Sequence, residues 1–223
     1  MPQITQPTLI ARLTAEAVGT ALLVATVVGS GILAQRLSPD DVGLQLLENA
    51  AATVGALIAL ILALGPVSGA HFNPVVSMVT RLFGGLSTRD TILYSLVQIA
   101  GGCIGAMIAN VMFELDVVNL STKDRSSGAL WFSEVIATIG LVLIIFCIVR
   151  SGRASAVPYA VGVWIGGAYW FTSSTSLANP AVTISRAFTE SFAGIAPKSV
   201  PLFILMQIMG CAIALPLLRY LRK

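Results

Sequence analysis

Charge is scarce in this chain. Of its 223 residues only 10% are Asp, Glu, Lys or Arg, against roughly 25% in a soluble domain. That shortage argues against a soluble enzyme, a disordered chain and a nucleic-acid-binding module, and the 13 basic residues behind the net charge of +3 are scattered over many loops. There is one histidine, His71, and there are three cysteines, Cys103, Cys147 and Cys211, each inside an apolar run. Neither a metal site nor a disulfide framework is expected from them, and the cysteines read as small packing residues. Also missing are a His-Glu-x-x-His motif, a nucleophile beside a base and a carboxylate dyad, so neither enzyme chemistry nor a cofactor is expected. The first apolar stretch lacks a basic leader and carries Glu16, and is read as a retained helix, not a signal peptide.

Apolar residues make up 56% of the chain. Long apolar segments fall at about 10–34, 46–64, 90–113, 130–149, 157–174 and 199–218, each near the ~20 residues needed to cross a bilayer. An all-α membrane protein with six spans follows. Two weaker segments lie between spans, residues 65–84 with Ala70-His71-Phe72-Asn73-Pro74-Val75 and residues 175–192 with Leu177-Ala178-Asn179-Pro180-Ala181-Val182.

An internal repeat emerges from Ala15-Glu16-Ala17-Val18-Gly19-Thr20 in the first span and Ser133-Glu134-Val135-Ile136-Ala137-Thr138 in the fourth. Each half reads helix, helix, Asn-Pro segment, helix, over about 8–115 and about 128–220 of a single domain, 1–223. Three spans per half place the second copy in the opposite sense, an inverted 3+3 repeat. Basic residues favour a cytoplasmic side carrying Arg12, Arg81, Arg89, Arg150, Arg153, Arg219, Arg222 and Lys223, with both termini. Arg36, Lys123, Arg125, Arg186 and Lys198 fall outside, diluted by Asp40, Asp41, Asp116 and Asp124.

Irregular backbone at membrane depth must be buried in protein or line a cavity. Asn followed by Pro starts a helix, because Asn caps well and Pro at the first position gives up an N–H that had no partner. About ten residues follow each pair, or roughly 15 Å, so two half-helices entering from opposite faces meet near the midplane. Their positive dipole ends and the amides of Asn73 and Asn179 disfavour cations and protons there. The stretches before them, Gly69, Ala70 and His71 in one copy and Ser174 and Thr175 in the other, offer backbone carbonyls to a passing solute.

The paired motifs Ser68-Gly69-Ala70-His71-Phe72-Asn73-Pro74-Val75 and Asn179-Pro180-Ala181, with the repeated glutamates, resemble the aquaporin and aquaglyceroporin (major intrinsic protein) family over essentially the whole chain. The resemblance implies an aquaporin-like bundle of six transmembrane helices and two re-entrant half-helices, a pore through each monomer and a homotetramer. The family usually carries arginine after the second Asn-Pro-Ala, where this chain has Val182. Its spacing projects a selectivity filter of Thr53, Gly167, Ser176 and Val182, with the Thr53 position open by one residue either way. A ring so small and neutral implies a wide pore for glycerol, urea and undissociated metalloid acids, with water as well. Residues 179–195 further resemble a bacterial branch associated with arsenic detoxification, adding arsenous acid and methylated arsenicals to the solutes.

Several side chains admit two readings. Arg186 either places a cation at the outer mouth in place of the missing arginine, or complements a helix C-terminus and reaches headgroups. Glu16 and Glu134 either relay protons or, as their pairing favours, hold the re-entrant loops in place. His71 either gates by protonation or orients its loop. Gly101, Gly105, Gly162 and Gly166 are expected to let helices approach closely. Trp131, Trp164, Trp170, Tyr94 and Tyr220 are candidate interfacial anchors. The expected function is a passive channel for small neutral solutes in the cell (inner or plasma) membrane, with no nucleic-acid partner. A water-selective channel and an ion-coupled transporter are the alternatives.

Overall fold

The computed structural model describes residues 7–221. Arg222 and Lys223, assigned above to the cytoplasmic side, lie outside the described residues. The first repeat comprises α1 (Leu9–Leu37), α2 (Val42–Ser68), the half-helix α3 (Pro74–Leu82) and α4 (Thr88–Met112). The second comprises α5 (Gly128–Arg150), α6 (Val157–Phe171), the half-helix α7 (Pro180–Ser185) and α8 (Val200–Tyr220). Side-chain caps start four of these helices where the sequence supplies them: Thr8, Asp41, Ser87 and Ser127 each accept a hydrogen bond from a first-turn amide.

All six expected spans are helical, but they are not alike. Among the described residues five helices are long and apolar enough to cross a membrane, whereas α6, in place of the segment 157–174, has 15 residues. At ~1.5 Å per residue that is roughly 22 Å, and a 3-10 turn at Ala154–Ala156 lengthens its start. The helix stops at Phe171 because the chain must unwind there to feed the second re-entrant loop. The half-helix α3 has nine residues, close to the expected ten, whereas α7 has six and is continued by a 3-10 turn at Arg186–Phe188.

Within the repeats, α1 packs on α2 and α4, and α5 packs on α6 and α8, while α2 and α6 join the two halves. Each half-helix touches the last helix of its own repeat and that of the other: α3 meets α4 and α8, and α7 meets α8 and α4. Small residues make this closeness feasible. A methyl group on Gly101 or Gly105 would run into the backbone carbonyl of Ala17 or Ala21 on α1, and one on Gly162 or Gly166 would meet Ile58 or Val54 on α2. Tyr94 is not an anchor. It is fully buried and donates its hydroxyl proton to the Ser68 carbonyl at 3.0 Å, tying α4 to the end of α2. Trp164 likewise packs inward, over Gly140, and donates to the Ala137 carbonyl at 3.1 Å.

Candidate functional site: a pore between two re-entrant loops

Both loops are built from left-handed residues that few L-amino acids adopt freely. Ala70 and Phe72 precede Asn73 with φ of 48° and 47°, and Ser176 and Ala178 precede Asn179 with φ of 51° and 47°. The same alternation, three residues and one residue before the asparagine, occurs in both copies. Such backbone costs on the order of 1–3 kcal/mol per residue and persists only where its surroundings over-determine it.

The glutamates supply that restraint. The carboxylate of Glu16 accepts from His71 N at 2.9 Å, Phe72 N at 2.8 Å, Ser68 Oγ at 2.6 Å and Gln98 Nε2 at 2.8 Å. That of Glu134 accepts from Leu177 N and Ala178 N, each at 2.9 Å, and from Gln207 Nε2 at 2.7 Å. Gln98 also donates to Ser77 Oγ on α3 at 3.1 Å, and Gln207 to Thr183 Oγ1 on α7 at 2.8 Å. These two glutamines escaped the sequence reading, although Gln98-Ile99-Ala100-Gly101 and Gln207-Ile208-Met209-Gly210 form a second repeated pattern.

The half-helix starts meet as the dipole argument requires. Asn73 Oδ1 accepts from Val75 N at 3.0 Å, and Asn179 Oδ1 from Ala181 N and Val182 N at 3.0 and 3.3 Å. Pro74 and Pro180 occupy the first helical positions. Each asparagine then donates from Nδ2 across the centre, Asn73 to the Ala178 carbonyl at 2.8 Å and Asn179 to the Phe72 carbonyl at 2.7 Å. The two loops are thereby latched to each other, and two helix N-termini point at one place.

A cavity of about 590 Å³ passes this latch, running from Pro66 and Ser155 past Asn73 and Asn179 to Val182 and Arg186. A second cavity of about 310 Å³, lined by Lys123, Arg125 and Thr175, lies beyond it. Ser176 lines the first and Thr175 the second. Gly69, Ala70 and His71 line the long cavity. His71 is held by Ser77 Oγ at 3.0 Å from its Nδ1 and lies edge-on to Tyr94, an orienting arrangement within its loop. Ser174 departs from expectation: it is fully buried, and its carbonyl is already engaged by Arg125 Nη1 at 3.1 Å, so it is not a free acceptor.

The projected filter is brought together only in part. Thr53, Ser176 and Val182 line the cavity, but Gly167 does not. Gly167 is exposed and faces away, because at about 100° per residue it sits opposite Ile165 and Tyr169. Tyr169 lines the cavity instead. Spacing from Asn179 carries no information on how the intervening loop unwinds, and so none on the rotation of α6 at this position.

Arg186 is 2% exposed and lines the cavity, so the headgroup reading is set aside. Its Nε donates to the Ala193 carbonyl. Arg125, another buried arginine and one without a sequence signal, donates to the Gly194 carbonyl at 2.9 Å as well as to Ser174. Outside the spans, burial and the neighbouring Arg125 and Arg186 lower Lys123 to about 8, and burial lowers Arg125 to about 9. Asp124 is held down to about 2 by hydrogen bonds from Lys198, Ser126 and Ser199.

An unfolded lysine keeps its proton to about pH 10.4, whereas folded Lys123 releases it near 8. The folded state therefore gains stability as pH rises between these values, where the unfolded chain binds more protons. Reductive methylation with carbon-13 and NMR titration should show a lysine signal moving near pH 8 that vanishes in Lys123→Arg. A Lys123 signal that titrates only above pH 10 would contradict this burial.

Comparison with known proteins bears on the same architecture. The family model for major intrinsic proteins matches residues 3–175, which takes in the first repeat and ends before the second Asn-Pro pair. The chain belongs to the major intrinsic protein family. It is 49% identical over 210 residues to the aquaglyceroporin AqpS of Rhizobium meliloti, covering 94% of this chain and 89% of that protein. It is 28% identical over 197 residues to aquaporin NIP2-1 of Oryza sativa, covering 83% of this chain and 63% of that one. The crystal structure of the aquaglyceroporin from Plasmodium falciparum superposes with a TM-score of 0.73 at 19% identity, covering 97% of this chain and 96% of that one, and so shares the fold. As a major intrinsic protein, the chain is a membrane channel and not an enzyme.

Proposed function

We propose that this major intrinsic protein is a passive conduit for small neutral solutes, glycerol and urea among them, with water passing too. The observation that carries the reading is the mutual latch of Asn73 and Asn179 beside one continuous cavity. Two positive helix ends at one point repel cations and break a proton wire, while a neutral molecule with oxygen acceptors is tolerated. The 49% identity to a protein named an aquaglyceroporin supports solutes of that size. Undissociated arsenous acid and methylated arsenicals have the same size and neutrality, and the resemblance of residues 179–195 to an arsenic-associated branch supports them as cargo.

An ion-coupled transporter would need a free carboxylate in the spans. Both oxygens of Glu16 and both of Glu134 are committed to the loops, which favours the channel. We place the chain in the inner or plasma membrane with both termini cytoplasmic, on the distribution of its basic residues, and as a homotetramer on the family resemblance.

Light scattering from reconstituted vesicles in a glycerol gradient tests the reading. Fast reswelling after the initial shrinkage supports it, and fast shrinkage without reswelling identifies a water-selective channel. Arg186 supplies the guanidinium that Val182 lacks. Arg186→Ala is expected to change the ratio of glycerol to water permeability severalfold in the same assay, and an unchanged ratio would return Arg186 to a purely structural role.

A further inference from the structure

Three basic side chains converge on one short run of backbone. Lys123 Nζ donates to the Phe192 carbonyl at 2.8 Å, Arg186 Nε to the Ala193 carbonyl, and Arg125 Nε to the Gly194 carbonyl at 2.9 Å. Three consecutive carbonyls thus each hold one cation. The Cα atoms of the first and third of these residues lie no more than ~7 Å apart, so the charges are gathered at one spot. Lys123 and Arg125 come from the segment between α4 and α5, and Arg186 follows α7.

Among the described residues none of the three forms a salt bridge. The carboxylates within electrostatic reach are Glu190 for Lys123 and Glu134 for both arginines, so three positive charges face two negative ones. Both carboxylates are already engaged, Glu134 by the amides of Leu177 and Ala178, and Glu190 by Thr122 N and Oγ1. Asp124 is paired with Lys198 at 2.8 Å. One positive charge is left over, and a partly desolvated cleft strengthens its pull on an anion.

Donors are left over as well. Arg125 is 6% exposed, yet only its Nε and Nη1 are engaged, to Gly194 and to the Ser174 carbonyl at 3.1 Å, which leaves Nη2 without a partner among the described residues. Lys123 gives one of its three ammonium protons to Phe192. Both side chains line the second cavity, of about 310 Å³, which has room for a small ion with several waters at ~30 Å³ each. Separate donors on two side chains suit the several oxygens of an oxyanion better than a single halide.

We propose that the second cavity is a binding site for a small free oxyanion, held by Arg125 Nη2 and Lys123 Nζ. Isothermal titration calorimetry of the detergent-solubilised protein with sodium sulfate, against sodium chloride at equal ionic strength, tests it. Wild type is expected to bind one sulfate per chain. Lys123→Gln keeps a donor for the Phe192 carbonyl but loses the charge, and should weaken binding about tenfold. Arg153→Gln, on the exposed turn before α6, should leave it unchanged. The charged groups facing Lys123 are Arg125, Arg186, Glu190 and the Asp124–Lys198 pair. Raising the pH from about 6.5 to 8.5 should weaken binding severalfold, since Lys123 gives up its proton near 8, and Lys123→Arg should remove most of that dependence.

No saturable heat from sulfate, equal affinity in wild type and Lys123→Gln, or equal losses in Lys123→Gln and Arg153→Gln overturns the site. If Lys123→Gln does not elute as a monodisperse species, the pH dependence of wild type against Lys123→Arg decides. Nanodiscs of phosphatidylcholine and of phosphatidylglycerol separate the two sources of such an anion. Equal sulfate binding in both supports a free ion, and binding lost only in phosphatidylglycerol assigns the site to a lipid phosphate and overturns the free occupant. The calorimetry needs no solute flux, so failure here leaves the channel reading standing.

Discussion

Glu16→Ala is expected to abolish the folded pore. The carboxylate accepts four hydrogen bonds, two of them from the loop amides of His71 and Phe72. Bonds to a charged group contribute roughly 1.5–3 kcal/mol each, and their loss leaves buried donors unpaired. The sum exceeds about 5 kcal/mol, comparable to the whole net stability of a typical domain at roughly 5–15 kcal/mol. Phe72, at φ 47°, would then relax, and the Asn179 latch on its carbonyl would go with it. Size-exclusion chromatography in mild detergent should show loss of the monodisperse species, and any protein recovered should carry no glycerol. Glu16→Gln is a milder form of the same test, since the amide can accept from one loop N–H but turns a donor toward the other. Wild-type glycerol flux in Glu16→Ala would show that the loop is held by packing alone.

Val182→Arg carries the second large effect. Val182 lines the cavity one turn before Arg186, so the substitution sets two guanidinium groups into one constriction already bordered by Tyr169. Pore diameter and lining donors set selectivity in such channels. Glycerol permeability should fall by about tenfold or more, corresponding to an added barrier of at least about 1.4 kcal/mol, while water continues to pass. Stopped-flow measurement of both solutes on one vesicle preparation separates a narrowed pore from a misfolded one. Unchanged glycerol flux would show that Val182 is not at the narrowest point.

The repeat, the two Asn-Pro helix starts and the loop-holding glutamates were legible in the residues, because each depends on local chemistry. Asn caps its own helix within three residues, Pro at the first helical position gives up an N–H that has no partner anyway, and a carboxylate inside an apolar run must find donors. Hydropathy likewise placed the spans. The small-residue spacing announces that Gly101, Gly105, Gly162 and Gly166 lie at close helix contacts, while the partners on α1 and α2 come from the tertiary structure.

Where the unwound loops lay relative to the helices was not legible. Gly167 was projected into the pore by counting from Asn179, but the rotation of α6 is set by its packing on α2 and α5, which turned Tyr169 inward instead. The sequence leaves the carbonyl of Ser174 free, yet Arg125 reaches it across a sequence separation of 49 residues, a contact no local pattern announces. Arg186 admitted a surface and a pore reading with equal chemistry, and only its burial beside the cavity decided between them. By itself the sequence determined that two half-helices meet head to head in a bilayer, since capping and hydropathy are local properties and the inverted repeat sets the opposite sense of the two copies. Only the tertiary structure decided which side chains ring the passage, because that depends on helix rotation and on contacts between residues far apart in the chain.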